Sequence, residues 1–117
     1  MSESWPEELR LKDGGRLLAI RFEGGANAEL SAELLRVESP SAEVKGHGPG
    51  QEVTVPGKRN VTIIKLEPVG NYAVRIGFDD GHNSGLYTWD YLAKLGREAE
   101  SLWADYLRRL AAKGLSR

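Results

Sequence analysis

The chain has 117 residues, a formal net charge of −1 at pH 7 and no cysteine. Its length suits one domain with one hydrophobic core, and its balanced charge excludes a global attraction to nucleic acid or anionic lipid. The lack of cysteine excludes disulfides, thiolate catalysis and cysteine-ligated zinc or iron–sulfur clusters within this chain.

The sequence also predicts where the protein resides. The first ten residues are acidic and polar, without the apolar run of a secretory signal. No stretch approaches the roughly 20 apolar residues of a membrane helix. We therefore expect a soluble, cytoplasmic protein in which residues 1–117 form a single domain, with no nucleic-acid or membrane partner.

The N-terminal part predicts a β-hairpin. Residues 8–12 and the alternating run 16–23 are typical of two strands, and the Asp-Gly-Gly sequence between them is a turn signal. Trp5 precedes a proline and is interpreted as a side chain that packs back onto the core.

A short helix and a long irregular segment follow. Residues 28–37 predict a helix of two turns, with Ser31 as its N-cap and an end before Pro40. Residues 38–60 are rich in glycine and proline and predict turns. His47 lies in this irregular segment.

The middle of the chain predicts a second hairpin. Residues 61–67 and 72–78 are typical of two strands joined by a tight turn. In the second strand every other residue is large and apolar and is expected on the buried face: Tyr72, Val74, Ile76 and Phe78. A shift of one residue would expose all four, which should fix the register.

The C-terminal part predicts helix. Thr88 suits an N-cap, and apolar residues recur at spacings of three and four from Trp89 onward. Gly96 predicts a break or a bend, followed by an extra helix at residues 97–113. The expected fold class is α+β: a small antiparallel β-rich domain, with two hairpins and a short helix, on which a C-terminal helix or helix pair packs.

The polar turn after the second hairpin holds the candidate site. Asp79, Asp80 and His82 are candidate ligands for zinc, iron or manganese, with His47 or Glu43 as further ligands. The alternative is a structural turn network, in which the carboxylates bond backbone amides and the His82 ring packs on Tyr87 or Trp89. Because the two aspartates are adjacent, their side chains should point to opposite sides.

No complete catalytic constellation is present. Ser84 is two residues from His82, but nothing marks an oxyanion hole or a nucleophile elbow. No phosphate-binding glycine motif occurs. We predict a protein that is not an enzyme and has no cofactor, with zinc or iron bound by His82 and nearby carboxylates as the alternative.

The aromatic residues have two interpretations. Four of them surround the polar turn and predict either core packing or a partner surface: Tyr72, Tyr87, Trp89 and Tyr91. The C-terminal helix carries Trp103 and Tyr106, and its apolar stripe either covers the sheet or meets another chain. We expect a monomer or a weak homodimer.

Residues 34–51 and 63–92 resemble the family known as DUF971, or the gamma-butyrobetaine hydroxylase-like N-terminal domain. The similarity extends over residues 7–95. Similar domains occur alone in bacteria, in front of the oxygenase domain of carnitine-synthesis hydroxylases, and attached to Mrp-type iron–sulfur carriers. The resemblance implies a compact α+β accessory module, without catalytic activity, whose partner is an iron–sulfur carrier or an oxygenase.

The resemblance also bears on zinc. In the hydroxylases this domain is implied to carry a structural zinc held by three cysteines and one histidine. The family histidine matches His82, whereas the cysteines fall just after the Leu35-Arg36 pair, where this chain has Glu38-Ser39-Pro40-Ser41. One of four ligands is kept, so the zinc site of the family should be absent here.

Overall fold

The structure is a computed structural model that describes residues 5–46 and 52–117. These residues form two three-stranded antiparallel sheets and three α-helices. The first sheet contains β1 (Pro6–Lys12), β2 (Leu17–Phe22) and β3 (Asn27–Ser31), and the second contains β4 (Ile63–Val69), β5 (Ala73–Phe78) and β6 (Leu86–Thr88). The helices are α1 (Ala32–Val37), α2 (Ala42–Lys45) and α3 (Trp89–Ala112). The predicted α+β class is confirmed, with a third strand added to each hairpin.

Both sheets and α3 contribute to one core. Leu18 and Ile20 of β2 and Ile76 of β5 are at most 2% exposed, and Leu92 of α3 is fully buried. Alternation of apolar and polar residues along the strands directs one face of each sheet inward. Within the described residues, no helix is both long and apolar enough to cross a membrane.

The stretch 28–37 was predicted to hold one short helix capped by Ser31, and the residues up to that cap form a strand that was not predicted: positions 28–31 make up most of β3. In β3 the side chain of Leu30 is buried whereas that of Glu29 is exposed, which is the alternation of a strand. Leu30 lies opposite Leu18 in the antiparallel ladder with β2. Pairing with β2 therefore overrides a weak local helix preference. Ser31 still caps α1 as predicted, because its hydroxyl accepts from the Leu34 amide at 3.0 Å.

The prediction for the second hairpin was right for three inward residues and wrong for Tyr72. Val74, Ile76 and Phe78 are buried, but Tyr72 precedes β5 and is 51% exposed. The interpretation of Trp5 as a core residue was also wrong, since 43% of it is exposed.

The long helix α3 is continuous, so the predicted break at Gly96 and the separate helix at 97–113 are wrong. A Cβ atom at position 96 would lie 3.1 Å from the Cβ of Ala28 in β3. The glycine thus lets α3 approach the first sheet closely, and this packing offsets its helix cost of about 1 kcal/mol. Further along, Tyr106 is fully buried and donates to the Val55 carbonyl at 2.5 Å, so α3 covers its own domain.

Candidate functional site

His82 is a buried residue in the turn between β5 and β6. The Phe78 amide donates to the His82 carbonyl at 2.9 Å, and the His82 amide donates to the Asp80 carboxylate at 3.0 Å. The His82 and Phe78 ring centroids are 6.1 Å apart. The predicted turn network is therefore present, but the ring packs on Phe78 rather than on Tyr87 or Trp89.

Both nitrogens of the His82 ring have partners from the segment that follows α1. Nε2 lies 2.9 Å from Ser39 Oγ, and Nδ1 lies 3.0 Å from Glu43 Oε1. This order of serine, histidine and carboxylate matches that of a hydrolase triad. Ser39 is, however, 0% exposed, and a nucleophile without solvent access cannot meet a substrate. The three residues hold the segment after α1 to the β5–β6 turn.

Gly85 closes the space beside Ser39. A Cβ atom at position 85 would lie 2.5 Å from Ser39 Oγ and 3.1 Å from the Tyr87 ring. The Tyr87 hydroxyl donates to the Leu35 carbonyl at 2.6 Å, and burial raises its pKa far above the ordinary value. Ser39, His82 and Tyr87 are therefore buried together, with Tyr87 of β6 bonded to the backbone of α1.

The surroundings keep His82 neutral. Burial lowers the pKa of its imidazole, and the nearby Arg36 guanidinium lowers it further, whereas Glu43 and Asp80 oppose this to a smaller extent. The Glu43 carboxylate can only accept a hydrogen bond, so Nδ1 carries the proton of the neutral ring. Nε2 then accepts from the Ser39 hydroxyl.

We expect the free energy of unfolding to fall as the pH is lowered from about 7.5 to about 5.5. Because the folded pKa of His82 is lowered, its contribution is present above the unfolded pKa of about 6.5 and is lost as the pH falls. Denaturant titrations across this range measure the slope, and His82→Asn should lose most of it. His47 is present in both proteins and cancels, so an equally steep slope in the variant would contradict the assignment.

The two aspartates have different partners. Asp79 Oδ1 accepts from the Thr62 amide at 3.0 Å. Asp80 Oδ2 lies 2.8 Å from Arg36 Nε and 2.6 Å from Lys58 Nζ. Burial alone would raise the pKa of Asp80. The hydrogen bonds from Lys58, the His82 amide and Arg36 outweigh this effect and hold the pKa of Asp80 well below its ordinary value.

The structure does not bring the predicted metal ligands together. Among the residues that it describes, no group of three histidine, aspartate or glutamate side chains could hold a metal ion. Glu43 contacts the His82 ring, whereas Asp79 bonds the Thr62 amide and Asp80 bonds side-chain cations and the His82 amide rather than the ring. His47 lies outside the described residues. Metal binding at His82 stays a prediction.

The residues near His82 do not fit the zinc site implied by the resemblance. Ser39 contacts His82, so the segment that carries cysteines in the hydroxylases does lie at the ring. Structural zinc takes thiolate and imidazole ligands, and serine offers only a hydroxyl. Hydrogen bonds occupy this place instead, with Ser41 Oγ lying 2.9 Å from Ser84 Oγ. Matching the serines after Arg36 to the cysteines implied by the resemblance is the sequence signal that could have located Ser39 beside the histidine.

Comparisons with solved structures support this fold. Two proteins with structures determined in solution by NMR share 46% and 51% sequence identity, with TM-scores of 0.84 and 0.82. The first alignment covers 99% of this chain and 91% of the other, and the second covers 96% and 83%. A DUF971 protein of unknown function from Acidithiobacillus ferrooxidans, with a crystal structure at 1.93 Å, shares 36% identity and a TM-score of 0.66, over 80% of this chain and 94% of its own.

These matches and the fold define the class of protein, a small α+β domain with two antiparallel sheets and a long C-terminal helix. No curated protein matches the chain. The model of the family "gamma-butyrobetaine hydroxylase-like, N-terminal" matches residues 9–93. The chain belongs to this family, and the membership predicted from its sequence is confirmed.

Proposed function

We propose that the chain is a non-catalytic binding module that acts in the cytoplasm on a protein partner. One observation carries this proposal: the Ser39–His82–Glu43 group is closed. Ser39 is 0% exposed, and both nitrogens of the imidazole are used within the chain. Ser39, His82 and Glu43 are of the types that catalyse reactions, but here they bond to one another and stabilise the fold. This favours a protein that acts by binding a partner through its surface.

The proposed partner is an iron–sulfur carrier or an oxygenase, which would link the protein to iron–sulfur maturation or to oxygenase function. Similar domains are attached to proteins of these two kinds, and this is why we propose the same partners for the separate chain. The surface is compatible with protein binding, because several large apolar side chains are exposed. Ile64 is 66% exposed and Tyr72 is 51% exposed, and exposed apolar surface is typical of interaction sites.

Affinity capture tests the proposal. The folded chain is immobilised and exposed to a bacterial extract, and bound proteins are quantified by mass spectrometry. Heat-denatured chain on the same resin controls for adhesion to apolar surface. We expect an iron–sulfur carrier or an oxygenase to be enriched on the folded chain. If neither class is enriched, the proposed partners are wrong.

Two other results would contradict the proposed class of protein. Labelling of Ser39 by a fluorophosphonate would show a reactive serine and favour a hydrolase. Stoichiometric zinc or iron in the purified protein, lost in His82→Ala, would favour the small metal-binding protein instead. His82→Ala must be shown to be folded by circular dichroism before a loss of metal is assigned to the missing ligand.

A further inference from the structure

A groove lined by aromatic residues lies at the start of α3. Its volume is about 400 Å³, and it is lined by Trp5, Asn71, Tyr72, Thr88, Trp89 and Asp90. We call it the aromatic groove. Trp5 is 43% exposed and Tyr72 is 51% exposed, although burying such a side chain fully would stabilise the fold. Two large rings thus remain open to solvent next to each other.

Hydrogen bonds fix the walls of the aromatic groove. The Trp89 indole Nε1 donates to the Asn71 carbonyl at 2.9 Å, and the Trp89 amide donates to the Tyr72 carbonyl at 3.2 Å. The carbonyl of Trp5 accepts from the Glu23 amide at 2.8 Å. Three separate segments of the chain are therefore held around one space, and a ligand would meet rings that are already in position.

The rings of the aromatic groove differ from three other large rings of the chain. Three other rings each have a cation of the same chain near the ring face, with the following distances to the ring centroid: Lys45 to Tyr91 at 5.9 Å, Arg109 to Tyr106 at 5.8 Å and Arg117 to Trp103 at 5.0 Å. Within the described residues, the rings of Trp5, Tyr72 and Trp89 have no such cation. Aromatic faces attract cations, so these rings offer the same interaction to a cation from outside.

The charge at the edge of the aromatic groove favours a cation as well. Asp90 places a carboxylate there, in the first turn of α3. The positive end of the α3 dipole lies at the same place, and a carboxylate in the first turn counteracts it. The groove therefore combines aromatic faces with a negative charge, a combination that suits a flat, weakly hydrated cation.

We propose that the aromatic groove binds an arginine side chain of the protein partner, an inference that rests on the proposed function. A guanidinium group stacks on tryptophan and tyrosine faces and pairs with carboxylates through its N–H groups. Arginine and aromatic residues are also the side chains that most often dominate the binding energy of protein interfaces.

A titration followed by NMR tests the chemistry of the groove. The isotope-labelled chain is titrated with N-acetyl-arginine amide, while the indole N–H signals of the three tryptophans are recorded. We expect saturable shifts for Trp5 and Trp89 and none for Trp103, whose face is covered by Arg117. N-acetyl-citrulline amide has nearly the same shape without the charge and should bind about threefold more weakly or worse. Equal binding of both probes would overturn the inference.

Two matched variants locate the binding. Tyr72→Ala removes one exposed wall and should abolish saturable binding of the arginine probe, whereas Ile64→Ala removes an exposed side chain that does not line the groove and should leave it unchanged. Binding that persists in Tyr72→Ala would overturn the inference. Capture of the same carrier or oxygenase by wild-type and Tyr72→Ala chains would also overturn it and leave the proposed function intact. Selective arginine binding without a captured partner would support the groove and contradict the proposed function.

Discussion

Asp80→Ala is expected to lower the free energy of unfolding by about 1.5–3 kcal/mol, the range for hydrogen bonds to a charged group. The carboxylate of Asp80 lies between the side chains of Arg36 and Lys58, which are 12% and 21% exposed. One guanidinium nitrogen of Arg36, Nη1, is already buried and has no hydrogen-bond partner among the described residues. Removing the carboxylate leaves two partly buried cations without their counter-charge. It also removes the bond from the His82 amide, so the turn that carries the imidazole should loosen.

Urea denaturation of the variant and the wild type measures this effect. The matched control is Glu67→Ala, which breaks the pair between Glu67 and Arg75, whose side chains are 45% and 44% exposed. Exposed pairs contribute about 0–1 kcal/mol, so the control should be close to wild type. Similar losses in Asp80→Ala and Glu67→Ala would show that burial of the Arg36–Asp80–Lys58 group has little energetic consequence.

The difference in stability between the wild type and Asp80→Ala should depend on pH. The folded pKa of Asp80 is depressed, so its contribution is complete above the unfolded pKa of about 3.9 and is lost as the pH falls through the folded value. The difference in stability between wild type and Asp80→Ala should therefore be constant above about pH 5 and should shrink below about pH 4. A difference that grows on acidification would contradict the charge pairing.

Local sequence signals correctly predicted those parts of the fold that depend only on residues close together in the chain. The cap residues Ser31 and Thr88 were identified from sequence, and both accept from an amide three residues later, at 3.0 and 3.1 Å. Other features depend on distant pairing. β3 forms because β2 is beside it, and Gly96 stays helical because α3 needs close contact with Ala28. No window of local sequence contains these partners.

The candidate site shows the same division. Composition and turn chemistry drew attention to Asp79, Asp80 and His82, but they could not supply the partners of these residues. Ser39 is 43 positions from His82 in the sequence, and Arg36 is 44 positions from Asp80. Only the family resemblance linked these distant positions. It implied that residues just after Arg36 and the family histidine, which is His82 here, are ligands of the same zinc ion. In this chain a serine hydroxyl makes the contact between that segment and the histidine.

Gly15→Ala is expected to destabilise the fold by about 2–5 kcal/mol, the sum of backbone strain and overpacking. Gly15 lies in the turn between β1 and β2 with φ of +89°, and a Cβ atom there would collide with the carbonyl oxygen of Ile63 in β4. The turn of the first sheet therefore touches the backbone of the second, at the strand that pairs with β5. Backbone cannot move aside as a flexible side chain can.

The neighbouring glycine provides the control for Gly15→Ala. Gly14 has φ of +65°, and a Cβ atom added there would meet no heavy atom of the described residues within 4 Å. Gly14→Ala should therefore cost only the strain of about 1–2 kcal/mol. Denaturant unfolding of both variants separates the two contributions, and tryptophan fluorescence reports whether α3 remains packed. If Gly15→Ala is no less stable than Gly14→Ala, the two sheets are not in the close contact described. If Gly15→Ala is less stable by the expected margin, the contact between Gly15 and Ile63 helps to position β4 and its partner β5. Because the turn that carries His82 follows β5, the same contact then also helps to position His82.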